Sequence, residues 1–365
     1  MNNTITSLTL SNFFSPFLYK SRNHNSYDLK LVNIHLEQFG SYLFFSRFGD
    51  HRLFIAGSKF QRFLSSVVFI SNIVYKKMSY DLHNRNLIDK YYSFIYQTVF
   101  SHCHSAEKGG SIYIENILCY LKLFNCGFFN CTSESSDGAV FFKGRSAIVF
   151  ETCFQDCYVN KEVQIGSHSC TFSCLENYFN SVNHSSITSC SPYDRQSSAS
   201  TISYYYGSIQ LIENNCSFNN AKSSPSGFHL VSSGDESSIR YDLFIENSGD
   251  TVLSIRRLKM RDEFDYLTFQ QNSANSMIFL DESTSLVFTS VFEANTGIVC
   301  SSKDNSYIIF NNCYFDENED NVEFGSPVVT CSICHYKGNP YSISHKYHNP
   351  LFCWNNCQQD KGCKF

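Results

Sequence analysis

Proline is scarce in this chain, six residues in 365, as are methionine (four) and tryptophan (one), while phenylalanine (35) and tyrosine (23) are abundant. So aromatic a chain with so little proline does not have the composition of a disordered segment. Charge is also thin. Asp, Glu, Lys and Arg make up 17% of residues, below the roughly 25% of ordinary globular domains, and serine and asparagine supply the polar surface instead. Both compete with the helical backbone for hydrogen bonds, which favours turns and strands.

The net charge of -5 comes without a long run of either sign. The sequence therefore carries no electrostatic footprint for nucleic acid or anionic lipid, and no nucleic-acid partner is expected. Long apolar runs are missing too. A membrane-spanning helix needs about 18 uninterrupted apolar residues, and the nearest window, Phe63 to Tyr75, has Ser and Asn inside it. Met1 to Leu18 lacks the basic start, apolar block and small-residue cleavage site of a signal peptide, so membrane attachment is expected only through a segment outside this chain. There is no Gly-rich phosphate loop, His-Glu-x-x-His helix or Gly-x-Ser-x-Gly elbow, and the 12 histidines share no spacing. No catalytic residue and no cofactor is assigned.

Cysteine is in excess, with 17 residues, an odd number. Such a count ordinarily belongs to an oxidising compartment. Asn-x-Ser/Thr sequons at Asn2, Asn130, Asn183 and Asn215 fit a secreted route, but short sequons also arise by chance in Asn- and Ser-rich sequence.

Self-similarity is the most informative feature. A unit of the form Phe-x-x-Asn/Cys recurs, preceded by a short apolar strand and followed by a polar turn and another strand. Clear copies begin at Phe69, Phe100, Phe128, Phe154, Phe244, Phe269, Phe292 and Phe315, and weaker ones at Phe179 and Phe218. From Phe100 the anchors lie 28, 26, 25, 39, 26, 25, 23 and 23 residues apart. Segments such as 146–150, 285–288 and 307–310 read as strands before their anchors, and 138–142, 227–231 and 296–299 as strands after them. Long amphipathic helical windows are scarce. The fold class expected is all-β, a right-handed parallel β-helix of coils stacked about 4.8 Å apart.

In such a stack Phe69, Phe100, Phe128, Phe154, Phe218, Phe244, Phe269, Phe292 and Phe315 form an inward aromatic ladder. Cys126, Cys216 and Cys313 lie two residues earlier on the same face. The asparagine at the fourth position sits in a turn, where it bonds the backbone and tolerates left-handed dihedrals. Cys103, Cys131 and Cys157 take equivalent positions in consecutive coils, as disulfide partners or as small buried free thiols. The long interval between Phe179 and Phe218 reads as a coil with a loop inserted at about 183–203. That loop is either a tolerated insertion or a binding loop using Tyr204, Tyr205 and Tyr206.

The organisation expected is irregular N-terminal coils or a cap over 1–64, the solenoid over 65–325, and a Cys-rich C-terminal segment over 326–365. In the last segment Cys331, Cys334, Cys353 and Cys357 have the close pairing that holds tetrahedral zinc, because two ligands on one tight turn reach the same ion. A disulfide-stapled cap over the exposed strand edges of the final coil is the competing reading.

Cys103-His-Ser-Ala-Glu-Lys-Gly-Gly-Ser-Ile112 and Cys131-Thr-Ser-Glu-Ser-Ser-Asp-Gly-Ala-Val140 resemble the Gly-Gly-Ala-Ile motif that alternates with Phe-x-x-Asn in polymorphic-membrane-protein-like repeats. From about Phe100 to Gly325 the chain is similar to the right-handed β-helix surface proteins of parasitic protists, which share the pectin-lyase-like fold. The resemblance implies an extracellular or cell-surface location and adhesive contact with protein or glycan rather than catalysis. The same scaffold also implies an alternative, a polysaccharide lyase or glycosidase built on clustered carboxylates. The acidic clusters are Asp262, Glu263 and Asp265 with Arg257 and Arg261, and Glu317, Glu319 and Asp320. Neither matches the Asn-Thr-Asp, Asp-Asp and Gly-His-Gly pattern of polygalacturonases, and both read as solvated turns.

Overall fold

The computed structural model describes residues 2–14, 18–20, 27–46, 51–71, 91–160, 169–175, 179–190, 200–205, 207–231, 237–257, 263–303, 306–319, 322–325 and 328–337. The chain is an all-β parallel solenoid. Among the described residues three long sheets hold 13, 12 and 11 strands, and a short fourth sheet holds three. The backbone visits the long sheets in turn and then begins again one level along. Thr284–Phe288, Val291–Glu293 and Thr296–Lys303 lie in the first, second and third sheets, and Tyr307–Asn311 returns to the first, parallel to Thr284–Phe288. A parallel pair needs a long connection between its strands, and here the rest of the coil is that connection. Among the described residues no helix is long and apolar enough to cross a membrane.

Strand alternation sends every second side chain inward. The inward column of the second sheet reads Leu10, Leu36, Phe60, Phe100, Phe128, Phe154, Ile187, Cys216, Phe244, Phe269, Phe292 and Phe315. Rings from Phe100 to Phe154 stack at 4.9 Å, and those from Phe244 to Phe315 at 4.8, 4.9 and 5.2 Å. This is nearly the inter-strand distance, so rings in register stack without distorting the backbone, each pair adding about 0.5–1.5 kcal/mol beyond burial.

Three of the anchors read from the sequence stand elsewhere. Phe69 faces outward from the third sheet, stacked between Phe45 at 5.0 Å and Tyr113 at 4.6 Å, and Phe60 is the rung below Phe100. Phe218 falls two residues past its rung, Cys216, with a left-handed φ of 56° and 51% of its surface exposed. Phe179 is likewise on the first sheet, and Ile187 is the rung of its coil. A rung needs an apolar side chain but not a benzyl group, so where Ile or Cys serves, the nearest Phe misleads. Cys126 and Cys313 are buried at the bend before their rungs, whereas Cys216 is itself a rung.

Each coil bends at two corners around single residues in the left-handed region, such as Asn125, Glu151 and Glu213 at the first and Asn130, Asp156 and Gln271 at the second. The asparagine of the repeat is not the turn residue, contrary to the expectation. It follows that residue and points inward. Nδ2 of Asn219, Asn247, Asn272 and Asn295 donates to the carbonyls of Ile187, Cys216, Phe244 and Phe269 at 3.0, 2.7, 2.9 and 2.8 Å. Each acceptor is the rung of the preceding coil. Oδ1 of Asn247, Asn272 and Asn295 accepts the backbone N–H of the matching asparagine one coil earlier at 3.1, 2.9 and 3.0 Å. Cysteine makes the first of these bonds alone: the thiols of Cys103, Cys131, Cys157 and Cys190 donate to the carbonyls of Phe60, Phe100, Phe128 and Phe154 at 3.8, 3.5, 3.5 and 3.8 Å. Asn and Cys alternate in the repeat because both reach the same carbonyl.

After the cysteine corners the chain adds the fourth face, His104–Ser105, Thr132–Ser133 and Tyr158–Val159. A Cβ on Gly110 would lie 2.1 Å from the Gly138 carbonyl oxygen, so the Gly-Gly motif marks backbone contact between coils. After the asparagine corners the chain runs directly into the third-sheet strands Asn220–Val231, Ser248–Arg256 and Ser273–Asp281. The glycine motif fades where that shorter route is taken.

The sheets run unbroken across residue 64, since Tyr27–Val32 pairs with His51–Ala56 and the latter with Tyr92–Tyr96. Within 183–203, Ser186–Thr188 and Ser200–Tyr205 are regular strands of the second and third sheets, and 191–199 lies outside the described residues. At the other end Val328–Ser332 is the last strand of the first sheet, and Cys331 forms a disulfide with Cys334 across a Cα separation of 5.8 Å.

Two measurements check this packing. Replacing Phe269 by alanine opens the ladder and costs about 3–5 kcal/mol, as large-to-small changes in cores do, whereas Phe218→Ala stays within about 0.5 kcal/mol; urea-unfolding midpoints of the two variants compare them. By the same measurement Asn272→Ala, which strands a buried carbonyl and a buried N–H, destabilises by about 2–3 kcal/mol, and Asn272→Cys, which keeps the donor, by less.

Candidate contact surface

The outward positions of the first sheet carry the most unusual surface of the molecule. Phe54 pairs in register with Phe94, Tyr92 with Tyr120, and Tyr96 with Phe124 and then Phe150. Parallel in-register stacking lines these rings up along the solenoid. Centroids are 5.3 Å apart from Phe54 to Phe94, 5.5 Å from Phe94 to Phe124 and 5.8 Å from Phe124 to Phe150. Tyr96 is 37% exposed, and the others are half-buried.

Cations sit among the rings. Lys30 Nζ lies 5.2 Å from the Phe54 centroid, and the Arg52 and Arg145 guanidinium carbons lie 6.0 and 5.6 Å from Tyr92 and Tyr120. Lys122 is exposed between Phe94 and Ile148 in its column. The strands from Tyr27–Val32 to Ser208–Ile212 contain one acid, Asp28, which Arg52 meets at 3.8 Å. Positive charge above aromatic faces is a favourable pairing, and it leaves the surface both apolar and cationic. The sequence hid this because alternation had to be combined with a register that only the correct rungs reveal.

Other candidates lead less far. Phe45, Phe69, Tyr113 and Phe141 also stack outward, on the third sheet, but Tyr113 and Phe141 are only 9% and 2% exposed. His229 Nδ1 lies 3.1 Å from Ser254 Oγ, a base beside a hydroxyl, but Ser254 is buried and out of a substrate's reach. Burial and then the nearby Arg256 push the imidazole down to about 4. Of the first acidic cluster, Arg257 reaches across to Glu282 at 3.1 Å and Asp265 to Arg240 at 3.6 Å, while Arg261 and Asp262 lie outside the described residues. Both pairs are ion pairs between coils, not facing carboxylates.

Glu317 lines a cavity of about 400 Å³ at the C-terminal end, floored by Phe292 and Phe315, together with Asp316 and Glu323. These acids come from one stretch of chain rather than from adjacent coils, and Asp316 Oδ2 accepts the Ala294 N–H at 2.6 Å. Asp320 is outside the described residues. Of the four cysteines with zinc spacing, Cys331 and Cys334 have their sulfurs bonded to each other, and Cys353 and Cys357 lie outside the described residues. Of the three tyrosines read as a binding group, Tyr204 is buried in the core, Tyr205 packs edge-on to the His229 ring at 5.7 Å, and Tyr206 is outside the described residues.

Most of the buried thiols are held neutral. Burial pushes the thiols of Cys119, Cys126, Cys300 and Cys313 up to about 12 and those of Cys103 and Cys157 well above their ordinary value, so they are packing groups rather than nucleophiles. Asp242 and Asp137 are the charged-type residues buried among the described ones, and Asp242 is enclosed at the first corner. Its Oδ1 accepts the backbone N–H and the Nδ2 of Asn214 at 2.7 and 3.0 Å, while Oδ2 has no partner among the described residues. Elsewhere in that column Asn214 and Cys126 donate to the carbonyls of Val182 and Ile95, one coil earlier. The matching carbonyl for Asp242 is that of Leu211, and only a protonated carboxyl can donate to it. Burial, reinforced by Glu213 and opposed by the Asn214 bonds, pushes this carboxyl up to about 8.

The unfolded chain releases the Asp242 proton near pH ~3.9, and the fold keeps it to about 8. Folding thus takes up a proton between those values, and stability falls as pH rises through that window. Asp242→Asn donates at any pH. Thermal melts will show the variant close to the parent at pH 4 and more stable by a few kcal/mol at pH 8.5; a difference that does not grow with pH means the carboxylate is ionised in the fold.

Compared with protein-family models, with curated proteins and with solved structures, the chain matched none.

Proposed function

We propose that this chain is a non-catalytic solenoid, secreted or displayed at a cell surface, whose work is adhesive contact with protein or glycan through the outward face of its first sheet. The observation that carries the reading is the aromatic and cationic surface around Phe94, Tyr96, Lys122 and Phe124. Half-exposed rings in a contiguous group are costly to leave in water unless something covers them, and aromatic residues and arginine are the types enriched at binding surfaces. The resemblance of the Phe-x-x-Asn and Gly-Gly motifs to polymorphic-membrane-protein-like repeats supports the location and the adhesive role. Against the alternative of a lyase or glycosidase on a pectin-lyase-like scaffold stand carboxylates that pair with arginines of neighbouring coils, as Asp265 does with Arg240 and Asp281 with Arg256, and the origin of the cavity acids Asp316, Glu317 and Glu323 in one stretch of chain rather than in adjacent coils.

Incubation with pectin, alginate and related polymers is expected to give no new reducing ends and no unsaturated products; turnover of any of them would replace this reading with the enzymatic one. Retention of the labelled chain on cells or on a glycan and protein panel is expected to fall about tenfold or more in a Tyr96→Ala, Phe124→Ser double variant whose melting temperature stays near that of the parent.

A further inference from the structure

We propose that the ligand of this face is a polyanionic glycan lying along the solenoid axis, its sugar rings on the aromatic tracks and its anionic groups on Lys30, Arg52, Lys122 and Arg145. The proposal rests on the contact reading above and names the ligand class for the same surface. Charge complementarity selects the sign. The whole chain carries a net charge of -5, yet the seven first-sheet strands from Tyr27–Val32 to Ser208–Ile212 hold Lys30, Arg52 and Lys122 against the single acid Asp28, with Arg145 directly before one strand and Glu151 and Glu213 directly after two others. Over the strands from Tyr27–Val32 to Tyr120–Phe124 the cations outnumber the acid, which on an acidic protein favours an anion there.

Geometry selects a polymer. The tracks repeat once per coil, at about 4.8 Å, and run across the strands, so an extended chain of rings laid along them meets aromatic rings on the four successive strands from His51–Ala56 to Ser146–Phe150, with Lys30, Arg52, Lys122 and Arg145 spaced among them. The ring faces carry negative quadrupole charge, which attracts the polarised C–H groups on the face of a pyranose as it attracts cations. Guanidinium groups supply forked donors for sulfate or carboxylate oxygens. An extended peptide has no comparable purchase, because backbone recognition by strand addition needs a free edge and these strands are paired on both sides. The cations already held over Phe54, Tyr92 and Tyr120 are pre-positioned at ring height, which lowers the ordering cost of binding.

The test uses the full chain with four immobilised polymers: dextran sulfate, alginate, unmodified dextran and polyaspartate. Dextran sulfate or alginate is expected to bind at least about tenfold more tightly than dextran and polyaspartate, and which of the two binds better distinguishes sulfate from carboxylate. Salt weakens that binding. Lys122→Glu with Arg145→Glu lowers it about tenfold or more, and Lys122→Gln alone, at an exposed position with no change in melting, lowers it in the same direction. Equal binding of polyaspartate and dextran sulfate would reduce the effect to bare charge and overturn the proposal, as would binding of dextran equal to dextran sulfate, or indifference to the lysine and arginine changes. If no polyanionic glycan binds while Tyr96→Ala, Phe124→Ser still abolishes retention on cells, the glycan assignment fails and the contact reading stands; turnover of a polymer would instead remove the contact reading itself.

Discussion

From Cys103 to Asn295 the hydrogen bond from the inward side chain at the second corner to the rung carbonyl of the preceding coil is the constraint on which the stack depends; in the first coils Phe39 and Phe63, which follow the left-handed Gln38 and Arg62, stand in its place and stack at 4.9 Å. A coil that turns through a left-handed residue leaves backbone groups at the bend without a partner in the regular ladder, and a buried, unpaired carbonyl is costly. Asn and Cys are both short enough to fit inside the corner and both donate. Asn also accepts, and Asn247, Asn272 and Asn295 use that capacity to tie each coil to the one before through the backbone N–H. Cysteine gives up that second bond and gains apolar burial, and it is found where the chain leaves the corner into a fourth face rather than directly into the third sheet. The ring stack follows from this. Once the corner fixes the level of each coil to its neighbour, residues of equal number along the strand lie over one another, and a phenylalanine repeated there has a stacked partner without further selection of geometry.

The interior columns differ in what they can tolerate. The second-sheet column needs bulk and accepts Leu, Phe, Ile or Cys. The first-corner column needs hydrogen-bonding groups of small size and accepts Ser, Thr, Cys and Asn: Ser58, Thr98 and Thr152 return a hydroxyl bond to a carbonyl of their own coil, and Ser185 accepts the Thr152 N–H at 3.2 Å. Asp242 obeys that rule only in its acid form. It is therefore better regarded as an asparagine with an exchangeable proton than as a buried charge, and no cation is required to justify its place.

Most of the fold was legible from the repeat because the period of the motif is the length of a coil, and a coil's length is dictated by three short strands and their bends. The parallel stack and the rungs from Phe100 to Phe154 and from Phe244 to Phe315 follow from spacing alone. What misled the sequence reading was identity standing in for position. Ile187 and Cys216 fill rungs that a search for phenylalanine assigns to Phe179 and Phe218, and the apparent 39-residue interval between those two residues is the distance between one first-sheet residue and one corner residue. With Ile187 in place the rung lies 33 residues after Phe154 and 29 before Cys216. Asparagine was assigned to the turn on its tolerance of left-handed dihedrals, but Glu151, Asp156 and Thr289 take that conformation here too. The backbone bonds on either side hold those residues in place, so intrinsic preference decides little. The contact surface was illegible for a related reason: Phe54, Phe94, Phe124 and Phe150 are 40, 30 and 26 residues apart in sequence, and only the register of paired strands brings them into rows.

The same stacking that makes the core makes the outer surface periodic, and this ties architecture to use. Inside, a column of like residues is stabilising because rings and amides stack or bond with their own kind. Outside, a column of like charges repels, and the molecule mostly answers by alternating sign between coils, as Arg240 over Asp265 and Arg256 over Asp281 illustrate. The first sheet between Lys30 and Arg145 departs from that pattern. There Asp28 beside Arg52 is an alternating pair, but Lys30 and Lys122 share a row with Phe54 and Phe94 and no acid from Thr4 to Ile148, although the chain has acids to spare. Relieving self-repulsion by a single substitution to Asp or Glu would be simple, and the rows would then be as neutral as the rest of the solenoid. Their persistence as a cationic, ring-faced strip is the feature that stability does not explain and that an anionic partner lying along the axis does.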